Sequence, residues 1–229
     1  MENRPVPQPV ENLPVRPAEG VPRLGVLISG RGSNLAAIID AIAAGRLRAT
    51  IALVVSNRAD APGLERARAA GIETLVLAHR GYASREAYDR ALVDVMAARR
   101  VELVCLAGFM RLLGPAFCAA FPNAILNIHP SLLPAFPGVD AQRQALEHGV
   151  AVTGVTVHFV TPELDAGPIV MQVPVAVEPG DTVATLAARI LVEEHRLYPA
   201  AIERVLQGGW RIEGRRVLFA AASAAPVRR

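Results

Sequence analysis

The chain has 229 residues, of which 52% are hydrophobic and 20% are charged, and its formal net charge is +3. This length and apolar content predict one domain with a sizeable buried core, and they exclude an intrinsically disordered chain. Lysine is absent, which excludes both a P-loop and a pyridoxal enzyme, since each needs a lysine side chain. The arginines are scattered among acidic residues, so the basic charge indicates a solvated surface and no nucleic-acid interface is expected.

The two ends of the chain differ from its middle. Residues 1–22 are rich in proline and lack the apolar segment of a secretory signal, so we expect a flexible extension there. A single domain is expected over 23–220, followed by a loose tail over 221–229. Cys105 and Cys118 stand in apolar surroundings without metal-ligand spacing, which is typical of reduced thiols in a cytoplasmic protein. No apolar run reaches about 18 residues, so no membrane span is expected.

In the first half of the chain, apolar runs alternate with helical stretches. Strands are predicted at 24–29, 51–56, 74–77 and 103–107, and helices at 35–44, after residues 57–60 through Ala70, and at 84–98. Ser84 is expected to cap the third helix, with Glu86 and Asp89 in the early turns, where the helix dipole favours acidic side chains. This alternation predicts an α/β fold with a Rossmann-like, open twisted sheet.

The second half has a different rhythm. A strand is predicted at 124–128, a proline-bounded turn at 130–134, a helix at 141–148, and long strands at 152–160 and 168–177. Because the long strands follow each other closely, we expect an antiparallel pair, which makes the sheet mainly parallel with an antiparallel C-terminal part. A final amphipathic helix, capped by Asp181 or Thr182, is expected to reach about Gln207, before short strands at 210–212 and 217–219.

A glycine-containing turn, Gly30 to Asn34, follows the first strand and precedes the first helix. Its glycines permit a tight turn that presents backbone N–H groups, and the helix N-terminus favours an anion there. Ser33 and Asn34 can add side-chain donors. The turn is not the dinucleotide fingerprint, because Leu35 stands where that pattern needs glycine. A phosphate site and a plain tight turn both fit the sequence.

Asn127 and His129 stand near the end of a predicted strand. Alternation along a strand places both on one side, and ligands of open α/β sheets bind at the carboxyl ends of strands. An amide donor beside an imidazole suits stabilisation of an oxyanion and handling of its proton. A lone histidine at a strand end is often structural, but this pairing and the rigid Pro130 turn that follows favour a catalytic role.

Asp165 lies in a loop bounded by glycine and proline, where an aspartate is usually a turn-former. If the loop folds back over His129, its carboxylate can orient the imidazole and stabilise the charged ring. The other histidines are weaker candidates. His79 and His148 are expected at exposed turns, His158 in the core or behind the site, and His195 in a substrate pocket or in solvent. No cluster has zinc-ligand spacing, so no metal is expected.

Six segments in order resemble phosphoribosylglycinamide formyltransferases, the folate-dependent family of purine synthesis. They are Ser29 to Leu35; Ser56 to Asp60 with Gly63 to Ala67; Ser84 to Asp89; Ala107 to Arg111; Leu126 to Pro134; and Val157 to Val160 with Glu163 to Asp165. The resemblance spans roughly residues 24 to 210. It implies a formyltransferase fold, a glycinamide ribonucleotide substrate, and 10-formyltetrahydrofolate as the cosubstrate that donates the formyl group.

The resemblance also implies roles for individual residues. Gly32, Ser33 and Asn34 would hold the substrate phosphate, and Glu194 would contact the glycinamide end of the substrate. Asn127, His129 and Asp165 would be catalytic, with Asn127 and a protonated His129 donating to the formyl oxygen. The folate site would be lined by Arg85, Met110, Arg111, Leu112, Leu113, Asn127, Thr161, Pro162, Glu163, Leu164 and Asp165.

The chain also departs from the family, and other readings remain. Many members carry histidines just after the Phe-Pro-Gly turn, whereas Asp140 and Gln142 stand here, which puts the substrate contacts of that turn in doubt. Formyltetrahydrofolate deformylase, a hydrolase, shares the Asn-His-Asp arrangement but carries a regulatory domain that the first 23 residues cannot form. Methionyl-tRNA formyltransferase would need a further C-terminal domain, and a nucleotide-binding module would not need Asn127 and His129. A monomer and a homodimer are both compatible with the sequence.

Overall fold

The computed structural model describes residues 20–220, which contain nine strands and six α-helices. The strands are β1 (Arg23–Ile28), β2 (Thr50–Ser56), β3 (Thr74–Val76), β4 (Leu103–Leu106), β5 (Ile125–His129), β6 (Val152–Phe159), β7 (Ile169–Ala176), β8 (Trp210–Glu213) and β9 (Arg216–Phe219). The helices are α1 (Ser33–Ala43), α2 (Gly63–Ala69), α3 (Arg85–Ala98), α4 (Pro115–Ala120), α5 (Ala141–Glu147) and α6 (Val183–Leu206).

All nine strands belong to one sheet in the order β3-β2-β1-β4-β5-β6-β7-β9-β8. The first five strands are parallel, whereas β6 runs antiparallel to both β5 and β7. Strand β9 pairs parallel with β7 and antiparallel with β8. The predicted fold, a mainly parallel α/β sheet with an antiparallel C-terminal part, is therefore confirmed.

Strands β1, β2 and β4 are mostly apolar because helices cover both faces of the sheet. One buried cluster joins one side of the sheet to α1 and α6, and includes Leu35, Ile38, Leu186 and Ile190. A second cluster joins the other side to α3 and α4, and includes Tyr88. These two layers fix the sheet from both sides, so the carboxyl ends of its parallel strands form a rigid edge.

Helix α6 is the longest helix, and its start follows from a local signal. The Thr182 hydroxyl accepts a hydrogen bond from the backbone N–H of Thr185, whose side chain accepts one from the Thr182 N–H, which together form a capping box. The Tyr198 hydroxyl lies 3.0 Å from the carbonyl oxygens of both Leu106 and Leu126. This buried contact fixes α6 against β4 and β5, and so fixes the height of Glu194 above the sheet edge.

The structure differs from the sequence prediction in several places. Helix α4 was not predicted, because its six residues are too few to show a helical period. Strand β5 begins and ends one residue later than expected, so His129 belongs to the strand, and α1 begins at Ser33 rather than Leu35. The predicted tail, 221–229, and residues 1–19 of the predicted extension lie outside the described residues.

Candidate active site

The turn that joins β1 to α1 is held in shape by the start of α2. Gly32 has a φ of 70°, and a β-carbon on it would lie 2.8 Å from the Cα atom of Gly63. The Gly63 N–H donates to the carbonyl oxygen of Gly30 at 3.0 Å, and Nε of Arg66 donates to that of Arg31 at 3.1 Å. Glycine is needed at position 32 both for the left-handed backbone and for the close approach.

Asn34 and Glu194, predicted as substrate contacts from distant parts of the chain, form a buried pair. Nδ2 of Asn34 donates to Oε2 of Glu194 at 2.7 Å, and each residue is 8% exposed. Burial raises the pKa of Glu194, and the hydrogen bond from Asn34 opposes that rise. Within residues 20–220, the Asn34 Oδ1 atom is buried without a hydrogen-bond partner. A buried acceptor of this kind needs a partner, so the pair is suited to bind a polar ligand.

A groove of about 320 Å³ lies beside this turn, along one face of α1. It is lined by Ser33, Ala36, Ala37, Asp40, Arg46, Arg66 and His195. The sequence allows either a substrate pocket or a solvated position for His195. The structure places it in this groove. Burial lowers the pKa of His195, and Asp40 opposes that effect. The lining of the groove is polar, and one of its arginines, Arg66, contacts the turn through the Arg31 carbonyl.

Asn127 and His129 lie on β5, and the antiparallel pairing with β6 brings His158 directly opposite Asn127. Nδ2 of Asn127 is 3.2 Å from Nε2 of His158. Nδ1 of His129 is 3.5 Å from Oδ2 of Asp165, and Nε2 of His158 is 3.6 Å from Oδ1 of the same carboxylate. Four polar side chains therefore meet at the carboxyl end of β5.

His129 is buried and is held by a hydrogen bond from one ring nitrogen. The ring is 4% exposed, and Nε2 donates to the carbonyl oxygen of Phe136 at 2.8 Å, since a carbonyl can only accept. Burial lowers the pKa of His129, although Phe136 and Asp165 both act to raise it. Burial therefore acts against the protonated ring that the resemblance implies, and the Phe136 carbonyl and the Asp165 carboxylate act in its favour.

Asp165 is held by the loop between β6 and β7. Its φ of 48° is left-handed, a conformation that aspartate tolerates better than most side chains. Oδ2 accepts a hydrogen bond from the Gly138 N–H at 2.8 Å. Burial alone would raise the pKa of Asp165, but interactions with His158, the Gly138 N–H and His129 bring it below its usual value. The loop can fold back this tightly because Gly167 packs directly against the Phe159 carbonyl, where a β-carbon would clash.

The proline-bounded turn after His129 is tied to β6. The Thr156 hydroxyl donates to the carbonyl oxygen of Ser131 at 2.7 Å and accepts from the Leu133 N–H at 3.0 Å. The Ser131 hydroxyl in turn donates to the carbonyl oxygen of Ala135 at 2.5 Å. These bonds hold the Phe136 carbonyl against Nε2 of His129, so the turn forms one wall of the site.

The predicted folate residues fall into two groups on either side of this cluster. Met110, Arg111, Leu112 and Leu113 follow β4, whose last residue, Leu106, pairs with Asn127. Met110 and Leu112 are 71% and 48% exposed, whereas the Leu113 side chain is buried in the core. Arg85 begins α3, which packs beneath this segment, and the Arg111 guanidinium lies 5.3 Å from the centre of the Tyr88 ring.

The second group is the loop that carries Asp165. Thr161, Pro162, Glu163 and Leu164 lead into Asp165, and Leu164 is 52% exposed. Exposed apolar side chains next to buried polar ones are typical of a binding edge for an amphipathic ligand. Asp140, at the position where the family pattern departs, is exposed and has a φ of 56°.

Other features of the molecule lie away from this cluster. A groove of about 580 Å³ at the amino end of the sheet, with Arg23, Thr50 and Ile72 in its lining, contains none of the predicted site residues. Over residues 20–220, no group of three or more His, Cys, Asp and Glu side chains could hold a metal ion. Within the same residues, no helix has the length and apolar character needed to cross a membrane.

Two further histidines have definite positions: His158 lies in the core behind the site, as expected, whereas His79 differs from the expectation. His158, expected in the core or behind the site, contacts both Asn127 and Asp165. Its position could have been found from the strand register, since an antiparallel β5–β6 pair places the two residues opposite each other. His79 is half-buried rather than exposed, and burial lowers its pKa, whereas His148 is exposed as expected.

Comparison with known proteins shows the family of the chain. Residues 22–202 match the model of the formyl transferase family. The chain is 50% identical over 183 residues to phosphoribosylglycinamide formyltransferase of Escherichia coli (strain K12), covering 80% of this chain and 86% of that protein. It is 49% identical over 186 residues to the trifunctional purine biosynthetic protein adenosine-3 of Homo sapiens, covering 81% of this chain but 18% of that longer protein.

Solved structures give the same result. The crystal structure of glycinamide ribonucleotide transformylase 1 from Symbiobacterium toebii has a TM-score of 0.86 at 57% identity, covering 88% of this chain and 95% of that one. A formyltetrahydrofolate deformylase from Pseudomonas syringae has a TM-score of 0.81, covering 88% of this chain and 66% of that one, but at 24% identity it shares the fold alone. By its family match and its close relatives, the chain belongs to the formyl transferase family.

Proposed function

We propose that this chain transfers the formyl group of 10-formyltetrahydrofolate to the amine of glycinamide ribonucleotide, a step of purine synthesis. The observation that carries the proposal is the cluster of Asn127, His129, His158 and Asp165 at the sheet edge. This cluster occurs in a chain 50% identical over 183 residues to phosphoribosylglycinamide formyltransferase of Escherichia coli. We also propose that it works on small molecules in the cytoplasm, with no nucleic-acid or membrane partner.

The ribonucleotide phosphate would bind at the turn formed by Gly32, Ser33 and Asn34. The N-terminus of α1 offers backbone N–H groups and a positive dipole end, which together favour a phosphate. Glu194, held by Asn34 at 2.7 Å, would accept hydrogen bonds from the substrate beyond the phosphate. These contacts would orient the amine towards Asn127.

In the reaction, the substrate amine attacks the formyl carbon, and negative charge develops on the formyl oxygen. The Asn127 amide donates to that oxygen. The Nε2–H of His129 donates to the same oxygen, while Asp165 holds Nδ1 of the ring and assists transfer of the proton that the attacking nitrogen loses. Nε2 of His129 exchanges the Phe136 carbonyl for the oxyanion. When the bond to the folate nitrogen breaks, the proton passes to that nitrogen, so the reaction is balanced.

The folate would bind between the two exposed apolar groups, with Met110 and Leu112 on one side and Leu164 on the other. The half-buried side chains of Asn127 and Asp165 would meet the reacting end of the folate. Arg85 and Arg111 would face its acidic tail, because guanidinium groups pair well with carboxylates. Thr161, Pro162 and Glu163 would complete this side through the loop backbone, and Leu113 would contribute from its backbone because its side chain lies in the core.

Incubation of the purified protein with 10-formyltetrahydrofolate, with and without glycinamide ribonucleotide, tests the proposal. Formation of tetrahydrofolate and of the formylated ribonucleotide only when the amine is present supports a transferase. Tetrahydrofolate formed equally without the amine would instead assign the deformylase activity, which is the alternative on this fold. If neither product appeared, the chain would be a binding module and the proposal would be wrong.

A further inference from the structure

The segment between β4 and α4 lacks regular secondary structure, yet hydrogen bonds hold it at both ends. At its start, the Ser29 N–H donates to the Gly108 carbonyl at 3.0 Å, and the Ser29 hydroxyl accepts from the Met110 N–H at 2.9 Å. At its end, the Gly114 N–H donates to Oδ2 of Asp89 at 2.7 Å. The exposed residues between these anchors therefore have a fixed backbone path.

Asp89 is an unusual anchor because it is a buried acid on the core side of α3. It is 1% exposed, and no arginine or histidine side chain of residues 20–220 forms an ion pair with it within 4.0 Å. Oδ1 of Asp89 is buried and has no hydrogen-bond partner among the same residues. Burial raises the pKa of Asp89, and the Gly114 N–H and the more distant charges of Arg85 and Arg111 oppose the rise. Burial of a carboxylic acid group with one hydrogen bond costs desolvation free energy, so its contribution to stability is small. This favours a role in positioning the segment.

The contact with Gly114 is also close-fitting. A β-carbon on Gly114 would lie 2.6 Å from Oδ2 of Asp89, so any larger residue would push the segment away from α3. Asp89 lies one helical turn after Arg85, which places both on the same side of α3. One side chain thus connects the helix that begins with Arg85 to the segment that carries Met110 and Arg111.

We propose that Asp89 is a positioning residue for the formyl donor: through Gly114 it holds the segment from Met110 to Leu113 against α3, and so sets the affinity for the folate. This inference rests on the proposed function, because it assumes that this segment contacts 10-formyltetrahydrofolate. It makes Asp89 distinct from Asn127, His129 and Asp165, since Asp89 acts through the backbone and does not touch the reacting atoms.

The test measures KM for each substrate and kcat in three variants. Asp89→Ala removes the acceptor and should raise KM for 10-formyltetrahydrofolate about tenfold or more, with kcat and KM for glycinamide ribonucleotide within about twofold. Asp89→Asn keeps an acceptor oxygen for the Gly114 N–H and should restore most of the folate affinity. Gly114→Ala disturbs the same contact from the other side and should raise the same KM. Asp94→Asn, an exposed acid on the same helix, is the matched control and should behave as wild type.

Several outcomes would overturn the inference. Equal increases in both KM values, a fall in kcat alone, or no change in Asp89→Ala and Gly114→Ala would each exclude a positioning role. Failure of Asp89→Asn to restore affinity would assign the effect to charge instead of geometry. If none of the three variants folded by circular dichroism, the contact would serve stability alone. A wild-type protein without formyl transfer would refute the proposed function, which is a distinct result.

Discussion

Nδ1 of His129 lies 3.5 Å from Oδ2 of Asp165, although the first residue ends β5 and the second lies in the loop after β6. Nε2 of the same ring donates to the Phe136 carbonyl at 2.8 Å. Both ring nitrogens therefore face oxygen acceptors, and only a doubly protonated ring can donate to both. Burial disfavours the positive charge on the ring, whereas the two oxygen acceptors stabilise it.

The first prediction concerns the two proposed donors to the oxyanion. His129→Ala and Asn127→Ala should each lower kcat by about 100-fold or more, because each removes a group that stabilises charge formed in the transition state. Circular dichroism and thermal unfolding should show that both variants remain folded. His148→Ala, at an exposed position, is the control. A His129→Ala variant that kept more than about a tenth of the wild-type rate would contradict the catalytic assignment.

The second prediction concerns pH. The folded-state pKa of His129 is lowered, so the unfolded chain binds more protons than the folded protein once the pH falls towards the usual value for histidine, about 6.5. The His129 contribution to the free energy of unfolding should therefore be constant above that pH and decrease as the pH falls below it. Urea unfolding between about pH 8 and about pH 5, a range that includes the usual histidine pKa, measures this change in the free energy of unfolding. For His129→Asn, the free energy of unfolding should change less with pH. The same pH dependence as in wild type would contradict the assignment of this change to His129.

The third prediction concerns His158, which contacts Asn127 and Asp165. His158→Ala should lower kcat by about 10- to 100-fold, the range expected when a hydrogen bond to a charged group is lost. The effect should be smaller than that of His129→Ala, because His158 orients other groups. In the double variant His158→Ala/Asp165→Asn, the losses should be less than additive, since the two residues act through one contact. Fully additive losses would show that they act independently.

The sequence predicts well what depends on local pattern. The side-by-side placement of Asn127 and His129 follows from strand alternation, and the Thr182 cap follows from a local signal. The sequence does not predict whether Asp165 contacts His129, because that contact depends on how the loop after β6 folds back. The contacts of His158 depend on strand register, and the lowered pKa of His129 depends on burial, which no sequence pattern reports.

The fourth prediction compares two glycines with nearly the same backbone. Gly32 has a φ of 70° and Gly45 a φ of 69°, but a β-carbon would meet Gly63 at position 32 and nothing within 4 Å at position 45. Gly45→Ala should cost about 1–2 kcal/mol of stability from the left-handed backbone alone. Gly32→Ala should cost more and should also raise KM for glycinamide ribonucleotide. Equal costs in thermal unfolding, with KM unchanged, would mean that the turn is not shaped by Gly63.

The fifth prediction sets stability against function at Glu194. Its pKa is raised by burial, so the folded protein holds the proton more tightly than the unfolded chain does. The ionised carboxylate therefore lowers the free energy of unfolding as the pH rises above the usual value for glutamate, about 4.3. Glu194→Gln removes the charge and keeps an oxygen for Asn34. At about pH 7, where the wild-type carboxylate is above its usual pKa of about 4.3, the variant should therefore unfold at a higher temperature than wild type.

The same variant should bind glycinamide ribonucleotide more weakly, because a neutral amide accepts hydrogen bonds less strongly than a carboxylate. Measurement of melting temperature and of KM for both substrates tests both parts, with Glu193→Gln, the neighbouring acid on α6, as the control. A lower melting temperature would mean that Asn34 stabilises the ionised form more than burial destabilises it. In that case the carboxylate would be a structural group, and the weaker binding would need another cause.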